Sequence, residues 1–183
     1  MTNASPEMLA LRTKSRRTFL LIFFICLSPI VASYLAFYFW RPSGHDNHGE
    51  LIQPPQPITW PAHQPALLGK WVMVLAAPAS CDNVCKRALY YMRQVRIAQS
   101  DQMDRVARAW VVTDGGTPNA NVMSNQEGLV VLSDEKLARQ LEPARIHLVD
   151  PLGNLMMRFS ATPDPKAMMK DLDRLLKYSS LGK

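Results

Sequence analysis

The chain contains apolar runs of two very different lengths, and these lengths predict its layout. One uncharged run extends from Phe19 to Trp40. A helix of that length spans about 33 Å, which is enough to cross the hydrocarbon core of a bilayer. The later runs are short and bounded by Gly, Pro or polar residues, as in buried strands. The pattern predicts one membrane-spanning helix followed by a globular domain.

Within the domain, the short runs predict strands and the helical spacings between them predict helices. Strands are expected at 71–77, 106–112, 128–132, 146–149 and 155–159, and helices directly after Ser80–Asp82, at 133–141 and at 165–178. The turn Asp150-Pro-Leu-Gly153 joins the last two strands into a β-hairpin. The order β, α, β, β, α, β, β, α is typical of an α/β domain, a mixed sheet with helices on its faces.

The flanks of the long apolar run predict its orientation. Residues 1–18 form a basic tail with Arg12, Lys14, Arg16 and Arg17, which carries three of the six net positive charges and should stay in the cytoplasm. Residues 19–40 are the predicted transmembrane anchor. A cleaved signal peptide is the competing interpretation, but its apolar core is shorter and it lacks the aromatic cluster that ends at Trp40. We therefore expect a single-pass inner-membrane protein whose C-terminal domain is periplasmic.

Residues 41–65 are rich in proline and are expected to be an extended linker, so that the globular domain occupies 66–178. His45 and His48 have a spacing that could chelate a metal, but a solvated pair is the better expectation in such a spacer. A chain of 183 residues leaves room for one domain of ordinary size besides the anchor. No basic stripe with stacking aromatics occurs, so nucleic-acid binding is not predicted.

The domain contains two cysteines, Cys81 and Cys85, in a C-x-x-x-C spacing at the start of a predicted helix. Cys85 is expected to face the core, and Cys81 to stay accessible near the positive helix end, which favours a thiolate. If both were helical, their Cα atoms would lie about 6.2 Å apart, within reach of a disulfide. The pair is either a cycling thiol couple, with Cys81 attacking and Cys85 resolving, a soft-metal site, or a fixed bridge.

A strand that leads into a cysteine pair, βα units, a hairpin and a closing helix together resemble the thioredoxin-like superfamily. The C-x-x-x-C spacing, the single anchor and the hairpin HLVDPLGNLMMRF are similar to the Sco/SenC family of membrane-anchored cytochrome c oxidase assembly proteins. The resemblance implies Cu(I) as the metal, and an oxidase subunit or its assembly factors as partners. It implies Cys81 and Cys85 as catalytic residues or copper ligands.

The sequence departs from the Sco pattern at two places. Lys86 follows the second cysteine where the family has proline, and Glu142 stands where the family has its copper-binding histidine. His147, inside the next strand, is the nearest candidate for the third ligand. Pro143 lies close to the place of the thioredoxin cis-proline. The sequence thus predicts a thiol- or copper-handling assembly factor, with a non-catalytic docking scaffold as the alternative.

Overall fold

The computed structural model describes residues 6–39, 47–61 and 64–180. The chain forms two compact units, Met1–His45 and Asp46–Lys183. In chain order the elements are α1 Pro6–Phe39, β1 Glu50–Pro57, β2 Trp71–Ala77, α2 Asn83–Ala98, a 3₁₀ helix Ser100–Arg105, β3 Val106–Val112, α3 Ala120–Met123, β4 Leu129–Leu132, α4 Glu135–Gln140, β5 Arg145–Val149, β6 Asn154–Ser160 and α5 Pro165–Tyr178.

The first unit contains the helix α1. Its part Arg16–Phe39 is long and apolar enough to cross a membrane. Pro29 lies inside the helix, and the free Cys26 is exposed on it. Trp40, the last residue of the predicted anchor, lies outside the described residues.

The second unit is built on one mixed sheet of six strands in the order β1-β6-β5-β2-β3-β4. β2, β3 and β4 run parallel to one another, whereas β5 pairs antiparallel with both β2 and β6. The strands β2 and β3 are buried along their whole length because they are central and covered on both faces. The predicted mixed sheet flanked by helices, preceded by one apolar N-terminal helix, is confirmed.

The two faces of the sheet carry separate apolar cores. On one face, Leu75, Trp110, Ile146 and Leu148 pack with the buried sides of α2 and α5. On the other face, a second cluster contains Leu137 of α4. Alternate residues of each strand therefore serve different cores, as strand geometry requires. This alternation decides which side chains can approach the cysteines.

The first strand of the sheet falls inside the expected linker. β1 pairs antiparallel with β6, with a register break between Leu51 and Gln56, so this part of residues 41–65 belongs to the domain and is not a free spacer. Just before it, the buried carboxylate of Asp171 accepts hydrogen bonds from the backbone N–H groups of His48 (2.7 Å) and Gly49 (2.8 Å). These bonds hold the start of the domain on α5.

Glycine is required at position 49 because the chain passes very close to β6 there. A Cβ on Gly49 would lie 2.5 Å from both Met157 Sδ and Phe159 Cε1. His48 also places its Nδ1 3.2 Å from an Asp171 oxygen. It is therefore engaged with α5 in the described part of the chain, and its expected partner His45 lies outside that part.

Candidate functional site

The candidate site lies where β2 ends and α2 begins. Asp82 is the N-cap of α2, and its side chain accepts a hydrogen bond from the backbone N–H of Cys85 at 2.8 Å. This cap fixes the first turn of the helix. Cys85 then falls on the buried side of α2, together with Ala88, Leu89 and Met92, as the helical spacing predicts.

Cys81 and Cys85 form a disulfide, with their Cα atoms 5.2 Å apart. They are closer than two residues four positions apart in a helix because Cys81 precedes the helix. Cys81 lies in a turn, where its N–H donates to the carbonyl of Pro78 at 3.1 Å and its φ is +41°. Such a φ is uncommon for a residue with a side chain.

The two sulfurs differ from the expected arrangement. Cys81 is fully buried, with 0% of its surface exposed, and Cys85 is 4% exposed. The expectation that Cys81 stays accessible is therefore wrong for this oxidised state. The turn that begins at Pro78 places the Cys81 side chain in the apolar core beneath α2 instead of at the helix tip.

A pocket of about 240 Å³ opens beside the disulfide, and its wall includes Cys85 but not Cys81. Its lining is mainly apolar and comes from the ends of several strands: Leu75, Ala76, Ala77, Pro78, Asp82, Val84, Cys85, Thr113, Pro143, Ala144 and Ala161. Of the two cysteines, Cys85 is the one that borders this pocket.

His147 is not brought to the two sulfurs. Its neighbours on β5, Ile146 and Leu148, pack in the core that contains the cysteines, so His147 points to the opposite face of the sheet. There its Nε2 accepts a hydrogen bond from the backbone N–H of Glu142 at 3.2 Å. Burial, together with the nearby charge of Arg145, lowers the pKa of His147 to about 4. In this structure it is a neutral, buried histidine.

Comparison with protein families gives one match that spans residues 71–179, to the transmembrane-like, thioredoxin-like C-terminal domain. The chain belongs to this thioredoxin-like family. Comparison with curated proteins gave no match. The family agrees with the predicted superfamily, and its matched range begins at β2 and ends directly after α5.

Solved structures share the fold of the thioredoxin-like domain. Apo Sco1 from Thermus thermophilus is 16% identical with a TM-score of 0.54, and the match covers 73% of this chain and 99% of that one. Copper-bound yeast Sco1 is 14% identical with a TM-score of 0.52, covering 62% of this chain and 82% of that one. At these identities the likeness establishes the fold.

Glu142 and Pro143 differ from what a Sco or thioredoxin site has at these places. Glu142 is half-exposed and forms ion pairs with Arg145 (3.1 Å) and Arg158. The Glu142–Pro143 bond is not cis, since Gln53–Pro54 is the cis peptide bond found in the described part of the chain. Pro143 nevertheless lines the pocket beside Cys85.

Of the three ligands predicted for Cu(I), the structure brings two together, the sulfurs of Cys81 and Cys85. Once reduced, Cys81 and Cys85 would offer two thiolates, which are suitable soft ligands for Cu(I). Among the described residues, no group of three His, Cys, Asp or Glu side chains is arranged to hold a metal. A third His, Cys, Asp or Glu ligand would have to come from a partner or from outside those residues.

Apart from Pro143, which the resemblance to thioredoxins singled out, the pocket residues contributed by the strand ends were not predicted from the sequence. Thr113 follows β3, Pro143 and Ala144 precede β5, and Ala161 follows β6. All of these positions flank strand ends, and the strand order brings these ends to the edge of the sheet where β2 meets α2. In the sequence, the residues other than Pro143 are marked only by their positions next to predicted strand ends. The strand order must also be known before these ends can be placed around one pocket.

Proposed function

We propose that this chain is a membrane-anchored periplasmic factor that exchanges thiols through Cys81 and Cys85 during the assembly of cytochrome c oxidase. One observation carries the proposal: the two cysteines are bonded to each other, and one of them forms part of the wall of an open pocket. A bridge that only strengthened the fold would need no such access. Disulfide exchange, in contrast, requires that a partner sulfur reach one of the two atoms.

Two forms of this function are chemically available, and the arrangement favours thiol exchange over copper transfer. Exchange needs only the two sulfurs. Tight copper binding gains from a third ligand, and His147 lies on the other face of the sheet while Glu142 is engaged with arginines. Cu(I) therefore remains in the proposal as cargo held by two thiolates.

The oxidase and the compartment are parts of the proposal that the sequence supports. The resemblance to the Sco/SenC family supports cytochrome c oxidase, or its assembly factors, as the partner. Arg16 and Arg17, next to the apolar stretch of α1, support a cytoplasmic N-terminus and a domain on the outer side of the inner membrane.

Serine substitution of both cysteines tests the proposal. In cells that lack the native protein, the Cys81→Ser/Cys85→Ser variant is expected to give low cytochrome c oxidase activity in membranes. Cys26→Ser, which removes the thiol on α1, is the matched control and should restore activity. The variant's amount in the membrane is measured by immunoblot, so that loss of the protein is not mistaken for loss of function.

Titration of the reduced full-length protein with Cu(I) against a competing chelator separates the two forms. Tight one-to-one binding that is lost in Cys81→Ser/Cys85→Ser supports copper transfer. If no binding competes with the chelator, copper transfer is excluded and thiol exchange is retained.

A second candidate is a non-catalytic scaffold that docks to a respiratory complex with a permanent disulfide. The burial of Cys81, together with the 4% exposure of Cys85, favours it. Full oxidase activity with the double serine variant at normal abundance would establish this candidate and overturn the thiol proposal.

A further inference from the structure

The two sulfurs of the disulfide have different surroundings. Cys81 is completely buried, whereas Cys85 retains 4% exposure and lines the pocket of about 240 Å³. Thiol exchange depends on which sulfur a nucleophile can reach as well as on the chemistry of the thiols. The difference in access therefore distinguishes the roles of the two cysteines.

The turn that contains Cys81 is held in place by a carboxylate on the neighbouring loop. The N–H of Ala79 donates to Asp114 Oδ1 at 3.0 Å, and that oxygen also accepts from the N–H of Gly116 at 3.1 Å. Ala79 itself is buried and belongs to the same apolar cluster as Cys81. The turn that contains Cys81 is thus tied to the loop after β3, whereas Cys85 borders the pocket.

An incoming thiolate approaches a disulfide sulfur from the side opposite the sulfur that it displaces. For attack at Cys85, the displaced atom is the Cys81 sulfur, which lies within the core. For attack at Cys81, the partner would first have to expose a residue that is fully buried in the apolar cluster. Because the pocket wall includes Cys85 and not Cys81, an approach through the pocket leads to Cys85.

We infer that Cys85, and not Cys81, is the sulfur that exchanges with the partner, which reverses the order expected from the sequence. The inference rests on the proposed function, because it requires that the pair turns over. A partner thiolate attacks Cys85 Sγ, a bond forms between these two sulfurs, and the Cys81–Cys85 bond breaks. The electron pair of the broken bond goes to Cys81 Sγ, which takes up a proton.

A second thiol of the partner completes the exchange. It loses its proton and attacks the partner sulfur of the mixed disulfide, and Cys85 leaves as a thiolate. Overall, two partner thiols are oxidised to a disulfide, and the Cys81–Cys85 pair is reduced by two electrons. In reverse, the reduced pair reduces a partner disulfide, with Cys85 attacking and Cys81 resolving.

Trapping the mixed disulfide identifies the exchanging sulfur. The oxidised full-length protein, with Cys26→Ser and in mild detergent, is treated with reduced glutathione, quenched with acid, and mapped by peptide mass spectrometry. We expect glutathione on Cys85. Glutathione on Cys81, or in equal amounts on both cysteines, would overturn the inference.

Alkylation of the reduced protein gives an independent test that needs no change to either cysteine of the pair. With limiting iodoacetamide, Cys85 is expected to react several-fold faster than Cys81 in the folded protein. The same reaction in guanidinium chloride, where both thiols are exposed, supplies the reference ratio. A folded ratio equal to the unfolded one, or one that favours Cys81, contradicts the inference.

The same glutathione experiment separates failure of the inference from failure of the proposed function. If the native pair resists reduction by glutathione and by a dithiol, while the unfolded protein is reduced, the disulfide is a fixed bridge and both proposals fall. If the native pair is reduced through Cys81, the thiol function stands and only the assignment of Cys85 is wrong.

Discussion

Acidification is expected to destabilise the thioredoxin-like domain through His147. In the folded protein this residue is 1% exposed, and its burial, followed by the charge of Arg145, lowers its pKa to about 4. In the unfolded chain a histidine has a pKa of about 6.5. Between these two values the unfolded state binds a proton that the folded state does not, so stability is complete above about pH 6.5 and falls as the pH approaches 4.

The size of the effect follows from the two pKa values. Their difference corresponds to about 3 kcal/mol once the pH is below both of them. At pH 5 the loss relative to pH 7 is about 2 kcal/mol, because the folded state is still almost entirely unprotonated there. Such a loss is large compared with the stability of an ordinary domain.

Urea unfolding of the full-length protein in mild detergent measures this loss. Trp71 and Trp110 are buried, so their fluorescence reports the unfolding of the domain. The wild type is compared with His147→Gln at pH 7 and pH 5. Glutamine has no titrating ring, but its side-chain oxygen can accept the hydrogen bond that the Glu142 N–H now donates to the histidine.

His147→Gln is expected to have a smaller free energy of unfolding than the wild type at pH 7, but to lose about 2 kcal/mol less between pH 7 and pH 5. Other groups that titrate in this range affect both proteins equally and cancel in the comparison. An identical loss in the two proteins would refute the assignment of His147 as a buried neutral residue. It would also reopen its candidacy as a ligand.

Two further substitutions test contacts near the start of the domain and at the candidate site. Asp171→Ala removes the acceptor of the His48 and Gly49 N–H groups, so the free energy of unfolding in urea should fall by about 3 kcal/mol and amide exchange at Gly49 should be faster. Asp171→Asn keeps an acceptor and should lower the free energy of unfolding by less. Equal losses in the two variants would contradict this role of Asp171. Asp82→Asn keeps the α2 cap but removes a negative charge beside Cys85, so alkylation of the reduced Cys85 thiol should be several-fold faster. Asp82→Ala removes the cap and should lower the free energy of unfolding by about 1 kcal/mol. An unchanged alkylation rate in Asp82→Asn would show that the carboxylate does not act on the thiol.

The sequence was sufficient for the elements whose patterns are local. The apolar runs of β2 and β3 and the helical spacing of α5 predict their positions because burial on both faces, or on one helix side, leaves a direct mark on residue order. The same holds for Cys85, whose buried direction follows from its place on α2.

Features that depend on distant pairing could not be predicted in this way. β1 contains Pro54, Pro55 and Pro57, so its composition indicates an extended spacer, and only its pairing with β6 makes it a strand. The burial of Cys81 depends on a turn in which Cys81 itself has a positive φ, and no residue type in this stretch predicts such a turn. His147 occupies a strand, but which face it takes depends on the register of β5 in the sheet.

The edge formed by β1 has a consequence for how the protein behaves among its neighbours at the membrane. A second chain can extend a sheet only by bonding to free backbone N–H and C=O groups along its outermost strand. Proline has no N–H, and Pro54 and Pro55 occupy the stretch where the register is broken, so this border offers an incomplete template. Strand-by-strand polymerisation of copies is therefore disfavoured on that side, even where anchoring in one bilayer keeps their local concentration high.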